Sequence, residues 1–177
     1  MRILTVSVIC FGLFSACAPV SGQSAMAQSE TSAPIMKART HYEARPFKDD
    51  ANAANDVDAA LARAAISGKA ALIVMGANWC HDSRGLAGRF ETAKFQSLID
   101  AHYELVYVTA GIAPGQKNMN QDVSSRFGVK ALEGTPTVFI TDASGTVLNG
   151  ESAGYWRRAD SMPDDLIYAY FTHYASR

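Results

Sequence analysis

From Asn55 onward the apolar positions fall into a succession of short rhythms. Val57, Ala60, Leu61, Ala64 and Ala65 recur at the spacing of one helical face, which predicts a helix capped by Asn55 and stopped by Gly68. Ala70–Met75 (AALIVM) is an unbroken apolar run of strand length, the pattern of a strand covered on both faces. SRGLAGRF and AKFQSLIDAHY then read as one helix or a pair, interrupted near Gly88, and ELVYVTA (Glu104–Ala110) as a second buried strand. GIAPGQKNMN is loop, and NQDVSSRFGV is a short helix stopped by Gly128. TVFIT and TVLN flank DASG, which has the composition of a hairpin turn, so these two strands are expected as antiparallel neighbours. In SMPDDLIYAYFTHY, Ser161 and Asp164 have capping-box spacing and Pro163 sits where a missing N–H does no harm. Leu166, Ile167, Tyr170, Phe171 and Tyr174 make one apolar face.

The order α, β, α, β, α, β, β, α implies an α/β domain with a mixed central sheet and helices on both faces. The first strands need crossover helices, while the last two form a hairpin. At 177 residues the chain suits a single domain with a proper core. Lys and Arg number 16 against 17 Asp and Glu, so no charge excess draws it to nucleic acid or to an anionic membrane. There is no internal repeat, phosphate loop or G-x-S-x-G elbow.

Ahead of the domain, Arg2 precedes an uncharged, mostly apolar run from Ile3 to Phe14, which suits a signal-peptide core and is short for a membrane span. FSAC, ending at Cys17, resembles a bacterial lipobox, with Phe14 where Leu is more usual; AMA at Ala25–Ala27 resembles an ordinary cleavage site. The expectation is an exported, periplasmic protein with a leader over 1–17, or alternatively 1–27, and possible membrane attachment through a lipidated Cys17. Residues 18–47, rich in Ser, Ala, Gln and Pro and without periodicity, read as a flexible tether, leaving 48–177 as the domain.

Candidate chemistry centres on Gly76–Arg84, GANWCHDSR. Of three cysteines, Cys10 falls in the apolar leader and Cys17 at the processing site or in the tether, so Cys80 is alone in the body and the domain can form no internal disulfide. A lone cysteine taken without context is a small buried hydrophobe. Here it follows a strand and opens a helix, where free N–H groups and the helix dipole favour a thiolate nucleophile. No histidine (His41, His81, His102, His173) stands in a C-x-x-C or H-x-x-x-H spacing that would mark a metal site, and no cofactor is expected.

With Trp79-Cys80 after a buried strand, this order of elements, and GTPTVFI opening a later strand, the sequence from Asn52 onward resembles the thioredoxin superfamily. The resemblance implies a thioredoxin-like fold in which Thr135-Pro136 is a cis pair facing the Cys80 sulfur, and thiols or disulfides of proteins or small molecules as partners. Two departures matter: Ser83 stands where the family's pattern has a second cysteine, and Val74 where thioredoxins proper carry a buried Asp. Together they remove the resolving thiol and the base that serves it, leaving one-thiol chemistry through mixed disulfides. Ser83 can donate O–H to a Cys80 thiolate but cannot displace sulfur. His81, if protonated, would favour the thiolate and Asp82 would oppose it, and both also suit a solvated helix start. Two functions follow: a monothiol thiol-disulfide oxidoreductase or isomerase with Cys80 and Ser83 at its centre, or a module that kept the groove beside Pro136 for binding a partner in the cell envelope and lost turnover.

Overall fold

The computed structural model describes residues 41–49 and 52–175. Strands β1 (Ala70–Gly76), β2 (Tyr103–Thr109) and β3 (Thr137–Thr141) form a mixed sheet in the order β2-β1-β3. Central β1 runs parallel to β2, with Ile73 opposite Val106, and antiparallel to β3, with Val74 opposite Val138. Every β1 residue is buried, which is why its sequence is an unbroken apolar run.

Alternation along the strands builds two cores. Leu72 and Val74 of β1 and Val138 and Ile140 of β3 face helices α2 (His81–Phe90), α3 (Ala93–His102) and α5 (Asp164–Ala175), with Phe90, Phe95, Ile167 and Phe171 among the packed side chains. Ala71, Ile73, Met75 and Phe139 face α1 (Ala53–Ser67) and α4 (Gln121–Arg126), meeting Val57, Ala64 and Val123. Trp156, 1% exposed, stacks on Phe171 at 4.9 Å between ring centroids and so closes the first core.

Four local expectations change. Asn52, not Asn55, caps α1: its side chain accepts from the Asn55 N–H at 3.2 Å. The break between α2 and α3 falls at Glu91–Thr92 rather than at Gly88, which is buried inside α2 because the backbone of Tyr42 and Glu43 crosses it with no room for a Cβ. The segment after the DASG turn returns beside β3 but makes only one isolated bridge, Thr141 to Val147, and a backbone bond from Leu148 N–H to the Ile140 carbonyl. Asn149 replaces the missing strand with its side chain, accepting from Ile140 N–H and donating to the Val138 carbonyl, both at 2.8 Å. In α5, Ile167 and Phe171 are fully buried while Leu166 is 60% exposed.

Residues 41–47, read from the sequence as the end of a tether, pack on the domain. Ala44 and Phe47 are buried in the first core, and the Phe47 ring meets Tyr107 edge-on at 5.4 Å. The Tyr42 hydroxyl donates to Asp164, and Arg89 lies over the Tyr42 ring at 4.7 Å. Among the described residues no helix is long and apolar enough to cross a membrane. The leader, with Cys17, lies outside the described residues.

Candidate active site

Because β1 and β2 are parallel and β3 is antiparallel to β1, the C-terminal ends of β1 and β2 and the N-terminal end of β3 share one end of the sheet. There the chain leaves β1 at Gly76, turns through Ala77, Asn78 and Trp79, and enters α2 with Cys80 as its N-cap, in extended backbone geometry. The Cys80 N–H bonds back to the Ala77 carbonyl at 3.1 Å, and the Cys80 carbonyl accepts the first helical bond, from Arg84 N–H. Gly76 is dictated by crowding: a Cβ there would overlap the Phe47 ring and come within 2.9 Å of Ser83 Oγ.

Cys80 is 8% exposed and belongs to neither core cluster. Its thiol donates to the Thr135 carbonyl at 3.2 Å, and the Thr135–Pro136 peptide is cis. A backbone carbonyl can accept from the thiol but offers a thiolate nothing, so ionising Cys80 breaks this contact and frees the sulfur from the loop. Thr135 and Pro136 are buried, and Thr137 holds the loop by donating to the Gly134 carbonyl at 3.0 Å. Beyond that loop lies a cavity of about 240 Å³ whose wall includes Glu133, Thr137, Glu151, Tyr155 and Arg157.

Ser83 sits on the first turn of α2, fully buried, and its hydroxyl has no hydrogen-bond partner; the Trp79 indole N–H, in a half-buried residue, has none either. Val74 lies in the apolar core opposite Val138, so the position holds no carboxylate and has no polar surroundings to hold one. Of the two residues that suit a solvated helix start, only His81 lies in solvent. His81 is exposed, but Asp82 is 7% exposed, with its carboxylate accepting from Asp160 N–H at 2.9 Å and lying 3.2 Å from His81 Nε2. Burial raises the Asp82 pKa. The Asp160 N–H and His81 pull it down, the Asp160 carboxylate adds to the rise, and Arg89 opposes it, with burial winning. His81 and Asp82 are thus paired with each other and with the segment at Asp160.

Periodicity and motif spacing gave no hint of a second set of residues, contributed by 43–47. Asn78 binds the backbone of Phe47 twice, accepting from its N–H at 3.2 Å and donating to its carbonyl at 2.7 Å. The Asn78 carbonyl accepts from Arg45 and Arg84, each at 3.0 Å, and Glu43 pairs with both arginines. These partners are distant in sequence and joined through backbone atoms, so only the Asn inside GANWC could have drawn attention to them. Among the described residues no group of three His, Cys, Asp or Glu side chains is placed to hold a metal ion.

A family model described as thioredoxin-like matches residues 52–143. The crystal structure of a disulphide isomerase from Xylella fastidiosa Temecula1 is 31% identical, with a TM-score of 0.67 over 73% of this chain and 96% of that one. No curated protein matches the chain significantly. With helices on both faces of a mixed sheet, Trp79-Cys80 at a helix start and a cis-proline loop beside the sulfur, the chain belongs to the thioredoxin-like family.

Proposed function

We propose that this protein is a monothiol thiol-disulfide oxidoreductase or isomerase, acting through mixed disulfides at Cys80 on protein or small-molecule disulfides outside the cytoplasm. The observation that carries it is Cys80 at the N-cap of α2, its sulfur 3.2 Å from the carbonyl preceding cis-Pro136, with a hydroxyl rather than a thiol at residue 83. Likeness to a disulphide isomerase supports the chemistry, and the apolar leader with Cys17 supports export and membrane attachment.

Cys80 reacts as its thiolate. The thiolate attacks one sulfur of a substrate disulfide. A bond forms between Cys80 Sγ and that sulfur, the substrate S–S bond breaks, and the other sulfur leaves as thiolate. Ser83 cannot resolve the product, so a second thiolate attacks the substrate-side sulfur and expels Cys80 as thiolate. Where that second thiolate belongs to the same polypeptide the outcome is isomerisation; where it is a small thiol, the substrate leaves capped by it. The Ser83 hydroxyl, one helical turn away and bonded to nothing in the structure, is available as a donor to the thiolate.

The test is insulin reduction with dithiothreitol by wild type, Ser83→Cys and Cys80→Ala, with mass spectrometry of adducts on Cys80. Long-lived mixed disulfides in wild type and their faster release in Ser83→Cys are expected. Equal rates for wild type and Cys80→Ala would leave the protein a binding module on a thioredoxin-like scaffold.

A further inference from the structure

We propose that Asn78 is a positioning residue for Cys80, holding the nucleophile's turn through a fastening on residues 43–47. The inference rests on the exchange reading of Cys80 and adds to it a part of the site outside the C-x-x-S motif. Asn78 stands two residues before the nucleophile, in the turn whose Ala77 carbonyl accepts the Cys80 N–H. Both ends of its amide are used on one neighbour, the Phe47 backbone, in the donor-acceptor pattern with which one strand binds another. The backbone carbonyl of Asn78 is gripped from two sides by Arg45 and Arg84, and Glu43 ties those guanidinium groups together. A backbone bond from Ala44 N–H to the Arg84 carbonyl, at 3.2 Å, joins the same segment to α2. The thiol contact to Thr135 is lost when the sulfur ionises, whereas none of these bonds involves the sulfur. The fastening keeps the sulfur in line for attack once that contact is gone, and no other side chain reproduces an amide's paired donor and acceptor at this reach.

The experiment measures the second-order rate of Cys80 alkylation by iodoacetamide across pH, and of exchange with a small aromatic disulfide, in the full chain. Asn78→Ala is compared with Arg45→Gln, whose side chain is 60% exposed, and with Ile167→Val, a core change in α5 that lowers stability away from the site. Asn78→Ala is expected to slow both reactions about tenfold and to displace the pH profile, Arg45→Gln to slow them about threefold, and Ile167→Val to leave both rates as in wild type. An Asn78→Ala profile matching wild type within a factor of two, or the same slowing in Ile167→Val, overturns the proposal. Should Asn78→Ala not fold, an unchanged rate in Arg45→Gln overturns it alone. Wild type that is alkylated at Cys80 yet exchanges with no disulfide refutes the exchange reading, while the effect of Asn78 on alkylation is still read.

Discussion

Ser83 shows how much chemistry one atom carries. Its hydroxyl is buried and bonded to nothing, so replacing oxygen by sulfur sacrifices no hydrogen bond, and Ser83→Cys is expected to fold and to form an internal disulfide with Cys80 under oxidation. Loss of two free thiols on intact-mass analysis checks this; a variant with both thiols still free under oxidant shows the pair out of bonding reach. Asp82 links the same turn to pH. Its native pKa is raised above the ordinary 3.8, so the folded state holds the proton more tightly than the unfolded chain, and stability falls as pH rises through that window. Asp82→Asn keeps an oxygen to accept from Asp160 N–H but cannot ionise. It should remove a slope of at most about 1.4 kcal/mol per pH unit and exceed wild type in stability above the window. Urea denaturation at several pH values reads the difference, and parallel curves for the two proteins would contradict it.

At the scale of elements, one side chain stands in for regular structure and one glycine makes room for a neighbouring segment. Asn149 completes the edge of β3 where the returning segment makes no strand. Asn149→Ala leaves Ile140 N–H and the Val138 carbonyl buried without partners, at a cost of about 1–3 kcal/mol for each group. Asn149→Asp still accepts from Ile140 and should lose less; an alanine variant as stable as wild type in thermal unfolding would show water taking both places. On the other side, α2 accepts the 41–47 segment because Gly88 leaves it a channel. Gly88→Ala improves helix propensity by up to about 1 kcal/mol, yet its methyl collides with the Glu43 backbone, an overpacking worth roughly 1–3 kcal/mol. Net destabilisation is expected, together with faster proteolysis around residues 41–47.

Across the whole molecule, the two cores are served by different helices, and Cys80 lies outside both, at the end of the sheet where β1 and β2 finish and β3 begins. Asp164 ties the N-terminal segment to the last helix. Burial would raise its pKa, but hydrogen bonds from Tyr42 and Arg89 win and lower it. That contribution is complete above the ordinary carboxylate value and is lost as pH falls through the lowered one, so acid should loosen residues 41–47 from α5. The protection factor of the Ala44 amide in hydrogen exchange, taken against the intrinsic rate at each pH, should fall at low pH in wild type and change less with pH in Asp164→Asn. On the proposed export, Cys17→Ser should shift the protein from the membrane to the soluble periplasmic fraction, and unchanged fractionation would favour processing after Ala27.

Local pattern was enough to read the order of elements as far as β3, the buried central strand and the helix-opening cysteine, because each depends on neighbours within a turn or a pleat. The absent second thiol and buried acid were equally legible, since they are matters of residue identity at Ser83 and Val74. Side-chain replacement of backbone was not: that Asn149 stands in for a strand and Asn78 for a strand partner depends on which distant carbonyls and N–H groups the fold leaves unpaired. Polar composition likewise marked 41–47 as tether, whereas Gly76 and Asn78 form the seat that makes Phe47 core, and Gly88 makes room for the backbone of Tyr42 and Glu43. Burial of Asp82 belongs to the same class, because its solvent is excluded by a segment almost eighty residues away, 78 by sequence separation, which no window of local sequence includes.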